Sequence, residues 1–350
     1  MITLTQLTSL PEGLLQHEAS EIHQMLEGPT LIHLEGRRPE PLFVSVLMHG
    51  NETVGWEAVR HLLPQFSVAG GRRELPRSLS LFIANVSAAA EGVRALEGQP
   101  DYNRVWPGCE MVSDEIQQSE TRMPEQDLMS KVIDIMRDKK VFASIDVHNN
   151  TGINPHYACV NIVREDFLRL ATLFSRTVVF FTDPCQVASM AMAKLCPSVT
   201  LECGKVGQKY GVEHAAEYLD ACLHLQTLDG HAVAEQDIDL FHTVATVKVP
   251  ENISFGFEES DVELQFSRAI EQLNFREIHA GTYFASVSGL QRIPLDIYCE
   301  HKKVDPQTFF DFQDQDVVFN KSVMPSMLTL NKEVIRQDCL CYLMERYQKN

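Results

Sequence analysis

Short apolar runs alternate with amphipathic stretches from about residue 28 to residue 228. The apolar runs have the length of buried strands, and the stretches between them repeat apolar residues at helical spacing. Strands that alternate with helices indicate a parallel or mixed sheet covered by helices on both faces. The predicted strands are TLIHL, PLFVSVL, SLSLFIANV, VFASIDVH, HYACVNIV, TVVFFT and SVTLEC. We therefore predict an α/β domain whose functional residues lie at the carboxyl ends of its strands.

The pattern changes after about residue 240. Short β-like runs separated by turn residues replace the helical periodicity. These runs are HTVATVKVP, TYFASVSG, IPLDIYC, DVVFN and SMLTL. We predict two domains, an α/β domain over residues 1–235 and a smaller, β-rich domain over residues 236–350.

The composition is that of an ordinary globular protein, with 44% hydrophobic residues in a chain of 350. No apolar run approaches the roughly 18 residues of a membrane span. The first basic residue is Arg37, so we expect no secretory signal and a cytoplasmic location. The 9 cysteines are scattered and form no CxxC pair, so we expect core residues and not a disulfide framework.

The charge excludes some classes of partner. With 30 basic and 48 acidic residues the formal net charge is −18, which argues against binding to nucleic acid or to an anionic membrane surface. An anionic substrate would need a locally positive site, so clustered arginines or a metal ion become informative. The sequence leaves the oligomeric state open, a homo-oligomer included.

Two histidines and a glutamate follow predicted strands. The segment MHGNE, which contains His49 and Glu52, comes directly after PLFVSVL, and His148 ends ASIDVH. Two histidines and one carboxylate are the ligand set of many catalytic zinc sites. Asp146 lies on the same strand face as His148, where a carboxylate can orient the imidazole. The alternatives are an acidic helix start for the first pair and a solvent-facing strand exit for His148.

Two further polar segments lie in the same region. The irregular stretch 91–108 contains Arg94, Asn103 and Arg104, and a guanidinium beside an amide suits a substrate carboxylate. The alternative for this stretch is a surface loop with ordinary ion pairs. Glu202 follows an apolar strand and precedes a glycine turn. It is either a loop charge or a general base at the open edge of the sheet.

Segments of these stretches, in this order, resemble the zinc carboxypeptidase superfamily and look closest to its succinylglutamate desuccinylase/aspartoacylase branch. They are HGNE at 49–52, NVSAAAEGVR at 85–94, DYNRVWPG at 101–108, DVHNNTG at 146–152 and LECG at 201–204. Trp106 stands where the branch usually has phenylalanine. The matching segments span about residues 41–210, and their joint order is specific although each is short.

The resemblance implies a zinc-carboxypeptidase-like mixed sheet flanked by helices, with a smaller C-terminal β-rich domain. It implies one zinc ion per protomer, with the ligands His49, Glu52 and His148. Glu202 would be the general base that carries a proton from water to the leaving nitrogen. Arg94 would stabilise the developing oxyanion and would also contact the substrate. Asn103 and Arg104 would bind the carboxylate of a small-molecule substrate.

Two departures from that branch limit the substrate. Aspartoacylases carry a further arginine shortly before the general base, whereas DPCQVASMAMAKLC offers only Lys194. They also use a tyrosine of the C-terminal domain, and DVVFNKSVMPSMLTL contains none. These differences disfavour N-acetylaspartate and leave N-succinylglutamate, another N-acyl amino acid or a short peptide.

The sequence thus predicts a zinc-dependent hydrolase of N-acyl amino acids. The alternative is a metallocarboxypeptidase that releases C-terminal residues from peptides, which would use the same ligands and arginines. A catalytically silent binding protein on this scaffold is disfavoured because the three predicted ligands and Glu202 are all present.

Overall fold

The computed structural model describes residues 2–108, 122–150, 152–230, 232–258, 261–300 and 302–348. The chain divides into two units. The first comprises the chain up to Asn149, His156–Val178 and Pro184–Asp239. The second comprises Asn150–Pro155, Val179–Asp183 and the chain from Leu240 onwards.

A mixed sheet organises the first unit. The strands are β1 (Thr5–Leu7), β2 (Thr30–Leu34), β3 (Arg38–Val46), β4 (Arg77–Ile83), β5 (Ala143–Asn150), β6 (Tyr157–Val160), β7 (Thr177–Phe180) and β8 (Ser198–Lys205). These eight strands lie in the order β1-β2-β4-β3-β5-β8-β6-β7. Strand β3 runs parallel to β4 and β5, whereas β2 is antiparallel to β4 and β6 is antiparallel to β8. The last six residues of β3 are all buried, because a central parallel strand is covered on both faces.

Helices flank this sheet, as predicted. They are α1 (Val54–Leu62), α2 (Val86–Glu91), α3 (Pro124–Asp138), α4 (Glu165–Thr172), α5 (Ala188–Met192) and α6 (Tyr210–His224). Short 3₁₀ helices lie between them at Leu14–Gln16, Ala19–Gln24, Leu63–Gln65, Ser67–Ala69, Tyr102–Arg104 and Glu235–Asp237. Apolar residues of α3 and α5 form one core cluster with Phe43 of β3 and Phe82 of β4. Burial of these apolar faces is the main force that holds the helices on the sheet.

The second unit is rich in β-structure. Its strands are β9 (Asp239–Lys248), β10 (Phe255–Phe257), β11 (Leu264–Phe266), β12 (Tyr283–Val287), β13 (Asp296–Cys299), β14 (Lys302–Val304), β15 (Phe310–Gln313), β16 (Asp316–Phe319), β17 (Met324–Ser326) and β18 (Cys341–Arg346). Strand β9 pairs with β13 and β18, and a separate sheet has the order β10-β11-β12-β16-β15. Helix α7 (Lys332–Gln337) and 3₁₀ helices at Ile270–Leu273 and Pro306–Thr308 complete the unit. The predicted fold class, an α/β domain with a β-rich C-terminal part, is confirmed.

The predicted strand at SMLTL is wrong beyond its first residue. Strand β17 ends at Ser326, and Met327 has a φ of 66°, a left-handed conformation that interrupts an extended chain. The side-chain amide of Asn274 then accepts from the N–H of Leu328 and donates to its carbonyl, both at 2.9 Å. A side chain therefore takes the place of the neighbouring strand that this segment would otherwise need.

The cysteines are largely core residues, as expected. Cys159, Cys196, Cys203, Cys222, Cys339 and Cys341 are buried and free, and Cys299 is free and partly buried. Cys185 is disulfide-bonded, which the scattered spacing gave no reason to expect. Cys109 lies outside the described residues. None of the described helices combines the length and the apolarity that a membrane crossing requires.

Candidate metal centre and active site

The turn after β3 brings His49 and Glu52 to the start of α1. Leu47 has a φ of 55°, which turns the chain out of the strand direction. The N–H of Glu52 donates to the carbonyl of His49 at 3.1 Å and closes the turn. A Cβ on Gly50 would lie 2.2 Å from the carbonyl carbon of Ala88, so the turn packs against α2 with no room for a side chain. The HGNE sequence therefore places both side chains at the carboxyl end of β3.

His148 joins them from β5, the strand that pairs with β3. The exposed fractions of His49, Glu52 and His148 are 4%, 3% and 4%. Oε1 of Glu52 lies 2.9 Å from Nδ1 of His49, and Oε2 lies 2.8 Å from Nδ1 of His148. One ligand atom of each residue lies within 4.8 Å of the other two. The three side chains thus form a buried cluster that can hold a metal ion.

The opposite nitrogens of both imidazoles face carboxylates. Nε2 of His49 lies 3.1 Å from Oδ1 of Asp101, and Nε2 of His148 lies 2.8 Å from Oδ2 of Asp146. An ionised carboxylate only accepts hydrogen bonds, so each Nε2 carries a proton. Both Nδ1 atoms face Glu52, whose carboxylate likewise accepts hydrogen bonds, and a metal ion bound between these groups would replace those hydrogen bonds with bonds to Nδ1 and to the carboxylate. This orientation and this set of donors fit zinc.

Charges within the cluster shift the pKa values of its members. Burial opposes ionisation of Glu52, but the positive charges of His49 and His148 outweigh burial and hold the pKa of Glu52 below its ordinary value. Burial also opposes protonation of His148, yet the carboxylates of Asp146 and Glu52 raise its pKa well above the ordinary value. The carboxylates therefore favour a positive charge at the centre of the cluster, and a bound divalent cation would provide that charge.

Asp101 is a site residue that the sequence analysis missed, although it begins the segment DYNRVWPG. Its Oδ1 faces His49, and its Oδ2 accepts a hydrogen bond from Nη2 of Arg94 at 3.0 Å. Burial would raise the pKa of Asp101, but His49 and Arg94 hold it well below the ordinary value. Nη1 of Arg94 also lies 3.6 Å from Oε1 of Glu52. The arginine predicted to stabilise an oxyanion therefore lies beside the candidate metal ligands.

Asn103 and Arg104 also lie at this site, in different environments. Asn103 is buried, and its Oδ1 accepts from the N–H of Ala188 at 2.9 Å, while its Nδ2 lies 3.4 Å from Oδ2 of Asp146. Arg104 is only partly buried and donates to the carbonyl of Asn103 at 2.9 Å. Its charge helps to lower the pKa of Asp101. Their role in binding a substrate carboxylate stays a prediction.

Glu202 lies on β8, the neighbour of β5 in the sheet, and is partly buried. Burial raises the pKa of Glu202 to about 8. His148 and Arg94 act to lower this pKa, whereas Glu52 and Asp146 raise it further. Because these four residues belong to the cluster or touch it, Glu202 lies within its electrostatic reach. A carboxyl group with a pKa near 8 is suited to proton transfer close to neutral pH.

Two residues that adjoin the site in the sequence have other environments. Nζ of Lys194 donates to the carbonyl of Gly108 at 3.1 Å and lies beside residues of α3. Cys203 is fully buried, and burial together with the charge of Glu202 raises the pKa of its thiol well above the ordinary value. A thiol held in its protonated form is a poor nucleophile, so Cys203 contributes packing.

The family model of the succinylglutamate desuccinylase/aspartoacylase catalytic domain matches residues 41–225. The chain belongs to this family. The match confirms the family that the sequence segments resemble. Members of the family are amide hydrolases, which supports the prediction that this protein is an enzyme. A comparison with curated protein sequences found no match.

Several solved structures share the fold. Succinylglutamate desuccinylase from Chromobacterium violaceum is 16% identical, with a TM-score of 0.54 over 89% of this chain and 86% of that one. Succinylglutamate desuccinylase/aspartoacylase from Rhodobacter sphaeroides is 12% identical, with a TM-score of 0.56 over 90% and 88%. Murine aminoacylase 3 is 14% identical, with a TM-score of 0.55 over 89% and 96%. At these identities the likeness shows the fold alone.

Proposed function

We propose that the protein is a zinc-dependent hydrolase that cleaves the amide bond of an N-acyl amino acid. Family membership supports the reaction class, because members of the family hydrolyse amides. One observation carries the rest: the Nδ1 atoms of two buried histidines face one buried glutamate, while carboxylates bind the opposite nitrogens. That arrangement orients three ligands toward one point and provides an acceptor for Nε2 of each imidazole when Nδ1 binds a metal.

The metal would be held by Nδ1 of His49, Nδ1 of His148 and the carboxylate of Glu52. A zinc ion at such a site lowers the pKa of a water molecule to about 7 and polarises a carbonyl group. The remaining chemistry belongs to side chains of this protein.

Glu202 accepts a proton from the attacking water and delivers it to the leaving nitrogen. A group that both takes and releases a proton works best when its pKa is near the working pH, and burial gives Glu202 a pKa of about 8. A divalent cation nearby would lower this pKa and increase the ionised fraction at neutral pH.

Two arginines supply the positive charge that an anionic substrate requires. Arg94 lies beside Glu52 and Asp101, so its charge is next to the point where the carbonyl oxygen becomes negative. Arg104 is partly exposed, and its planar guanidinium can bind a carboxylate with two parallel hydrogen bonds. A free carboxylate close to the scissile amide is the chemistry of an N-acyl amino acid.

The test combines elemental analysis with a substrate panel. The panel contains N-succinylglutamate, N-acetylaspartate, other N-acetyl amino acids and short peptides, each with a free and with an amidated carboxylate. We expect one zinc per chain, hydrolysis of N-acyl amino acids and a large loss of activity on amidation. Hydrolysis of the peptides alone would make the protein a metallocarboxypeptidase. Equal hydrolysis of free and amidated substrates would overturn the carboxylate-binding role of Arg104.

A further inference from the structure

Ser45 is a buried serine inside the apolar strand β3. It is 0% exposed and lies directly opposite Asp146 in the register between β3 and β5. Its Oγ lies 2.7 Å from Oδ1 of Asp146, an ordinary length for a hydrogen bond from a hydroxyl to a carboxylate. Because the carboxylate can only accept, the hydroxyl donates.

Asp146 connects this serine to a candidate metal ligand. It is 1% exposed, and its second oxygen, Oδ2, lies 2.8 Å from Nε2 of His148. With Oδ1 held by the hydroxyl of Ser45, the plane of the carboxylate is fixed and Oδ2 is directed at the imidazole. The ring of His148 is then oriented so that its Nδ1 faces Glu52 at 2.8 Å.

We infer that Ser45 is a positioning residue of the metal centre, acting on His148 through Asp146. This inference rests on the proposed zinc site. Loss of the hydroxyl would leave Oδ1 of Asp146 buried without its donor, and the carboxylate would be held only at Oδ2, where Nε2 of His148 and, at 3.4 Å, the amide of Asn103 lie. Held at one oxygen, the carboxylate can rotate. The imidazole of His148 would lose its fixed orientation as a consequence.

The chain offers a matched control for this serine. Ser144 lies two residues before Asp146 on β5 and is 1% exposed. Its Oγ has no hydrogen-bond partner within the described part of the chain. Ser144→Ala therefore removes the same atom from the same sheet without breaking a hydrogen bond, whereas Ser45→Ala breaks one.

The experiment measures the zinc dissociation constant of the full chain by competition with a chelator. The proteins compared are the wild type, Ser45→Ala, Ser144→Ala, Asp146→Ala and the double variant Ser45→Ala/Asp146→Ala. Asp146 touches the ligand, so its removal should weaken zinc binding by about 10–100-fold, and Ser45→Ala, one bond further away, by about 3–10-fold. Ser144→Ala should bind like the wild type. In the absence of Asp146 the serine substitution should have no further effect.

The double variant separates a positioning role from a general loss of packing. The inference is wrong if Ser45→Ala binds zinc as tightly as Ser144→Ala. It is also wrong if Ser45→Ala weakens binding equally with and without Asp146, because the serine would then not act through that carboxylate. A wild-type chain that binds no zinc overturns the proposed function and this inference together. Tight wild-type binding with an unaffected Ser45→Ala variant overturns the inference alone.

Discussion

Replacing Glu202 with glutamine should stabilise the metal-free protein even though it removes the carboxyl group that we propose as the general base. The folded protein holds the pKa of Glu202 at about 8, against an ordinary value of 4.5. Each pKa unit corresponds to about 1.4 kcal/mol, so ionising this carboxyl costs up to roughly 5 kcal/mol of folding free energy. Glutamine matches the shape of the protonated group and carries no charge, so this cost disappears.

The sign of the effect depends on pH. Below about pH 4.5 the carboxyl keeps its proton in the folded and the unfolded chain, and the difference between the two proteins should not change with pH. Between about pH 4.5 and pH 8 only the unfolded chain loses the proton, so the wild type becomes progressively less stable than Glu202→Gln. Above about pH 8 the carboxyl is ionised in the folded and the unfolded chain, and the difference in stability between the two proteins reaches its full value. A gain of about 5 kcal/mol corresponds to a rise of roughly 10–20 °C in the unfolding temperature of a unit of this size.

Thermal unfolding of chelator-treated protein between pH 5 and pH 9 measures this difference. Glu213→Gln removes an exposed carboxylate from α6 and serves as the control, with an expected change of less than about 0.5 kcal/mol. Parallel curves for the wild type and Glu202→Gln over this range would refute the reasoning, since Glu202 would then ionise freely in the folded protein. With zinc bound, the same variant should keep its metal and lose about 10²–10⁴-fold in turnover.

The other predictions concern the ligands, the arginines and one buried indole. His148→Ala should lose most of its zinc by elemental analysis, and full retention would contradict its assignment as a ligand. Arg104→Lys keeps the charge but loses the bidentate geometry, so KM should rise with little change in kcat; an unchanged KM would remove it from substrate binding. Arg94→Ala should lower kcat more than it changes KM, and a pure KM effect would exclude a transition-state role. Trp106 is 2% exposed and its indole N–H has no partner among the described residues. The free energy of unfolding of Trp106→Phe should therefore lie within about 1 kcal/mol of the wild-type value, because removing the unpaired N–H offsets the lost packing. A much larger loss of stability in thermal unfolding would show that the N–H has a partner.

The fold was predictable where burial alone determines the local structure. The run PLFVSVL lies within β3 except for its last residue, Leu47, and the helical spacing of EQDLMSKVIDIMRDKK corresponds to α3. Both are elements whose apolar residues meet the core. The segment SMLTL has the same apolar character, but its conformation is decided by Asn274, 54 residues away from Leu328. A contact of that separation leaves no trace in local periodicity.

Some residues of the candidate site could likewise be predicted from the sequence, and others could not. His49, Glu52 and His148 could be predicted because their side-chain chemistry and their places at strand ends are visible in the sequence. Asp101 could not, since its partner His49 lies 52 residues away and an aspartate in an irregular segment has many ordinary interpretations. Ser45 carries even less signal, because a single serine in an apolar strand becomes meaningful only when Asp146 is placed opposite it, 101 residues later.

Gly50 gives a way to tell a metal-binding turn from an accidental pair of residues. The sequence contains two His-x-x-Glu matches, at 49–52 and at 214–217, so the spacing alone does not identify a metal-binding turn. At position 50, however, even the methyl group of alanine would lie 2.2 Å from the backbone of Ala88, and a helix backbone cannot swing aside as a flexible side chain can. A side chain at position 50 would therefore require the backbone of α2 to move. In distant sequences, a histidine and a glutamate that flank a larger residue in place of this glycine could not form the same turn against the same helix.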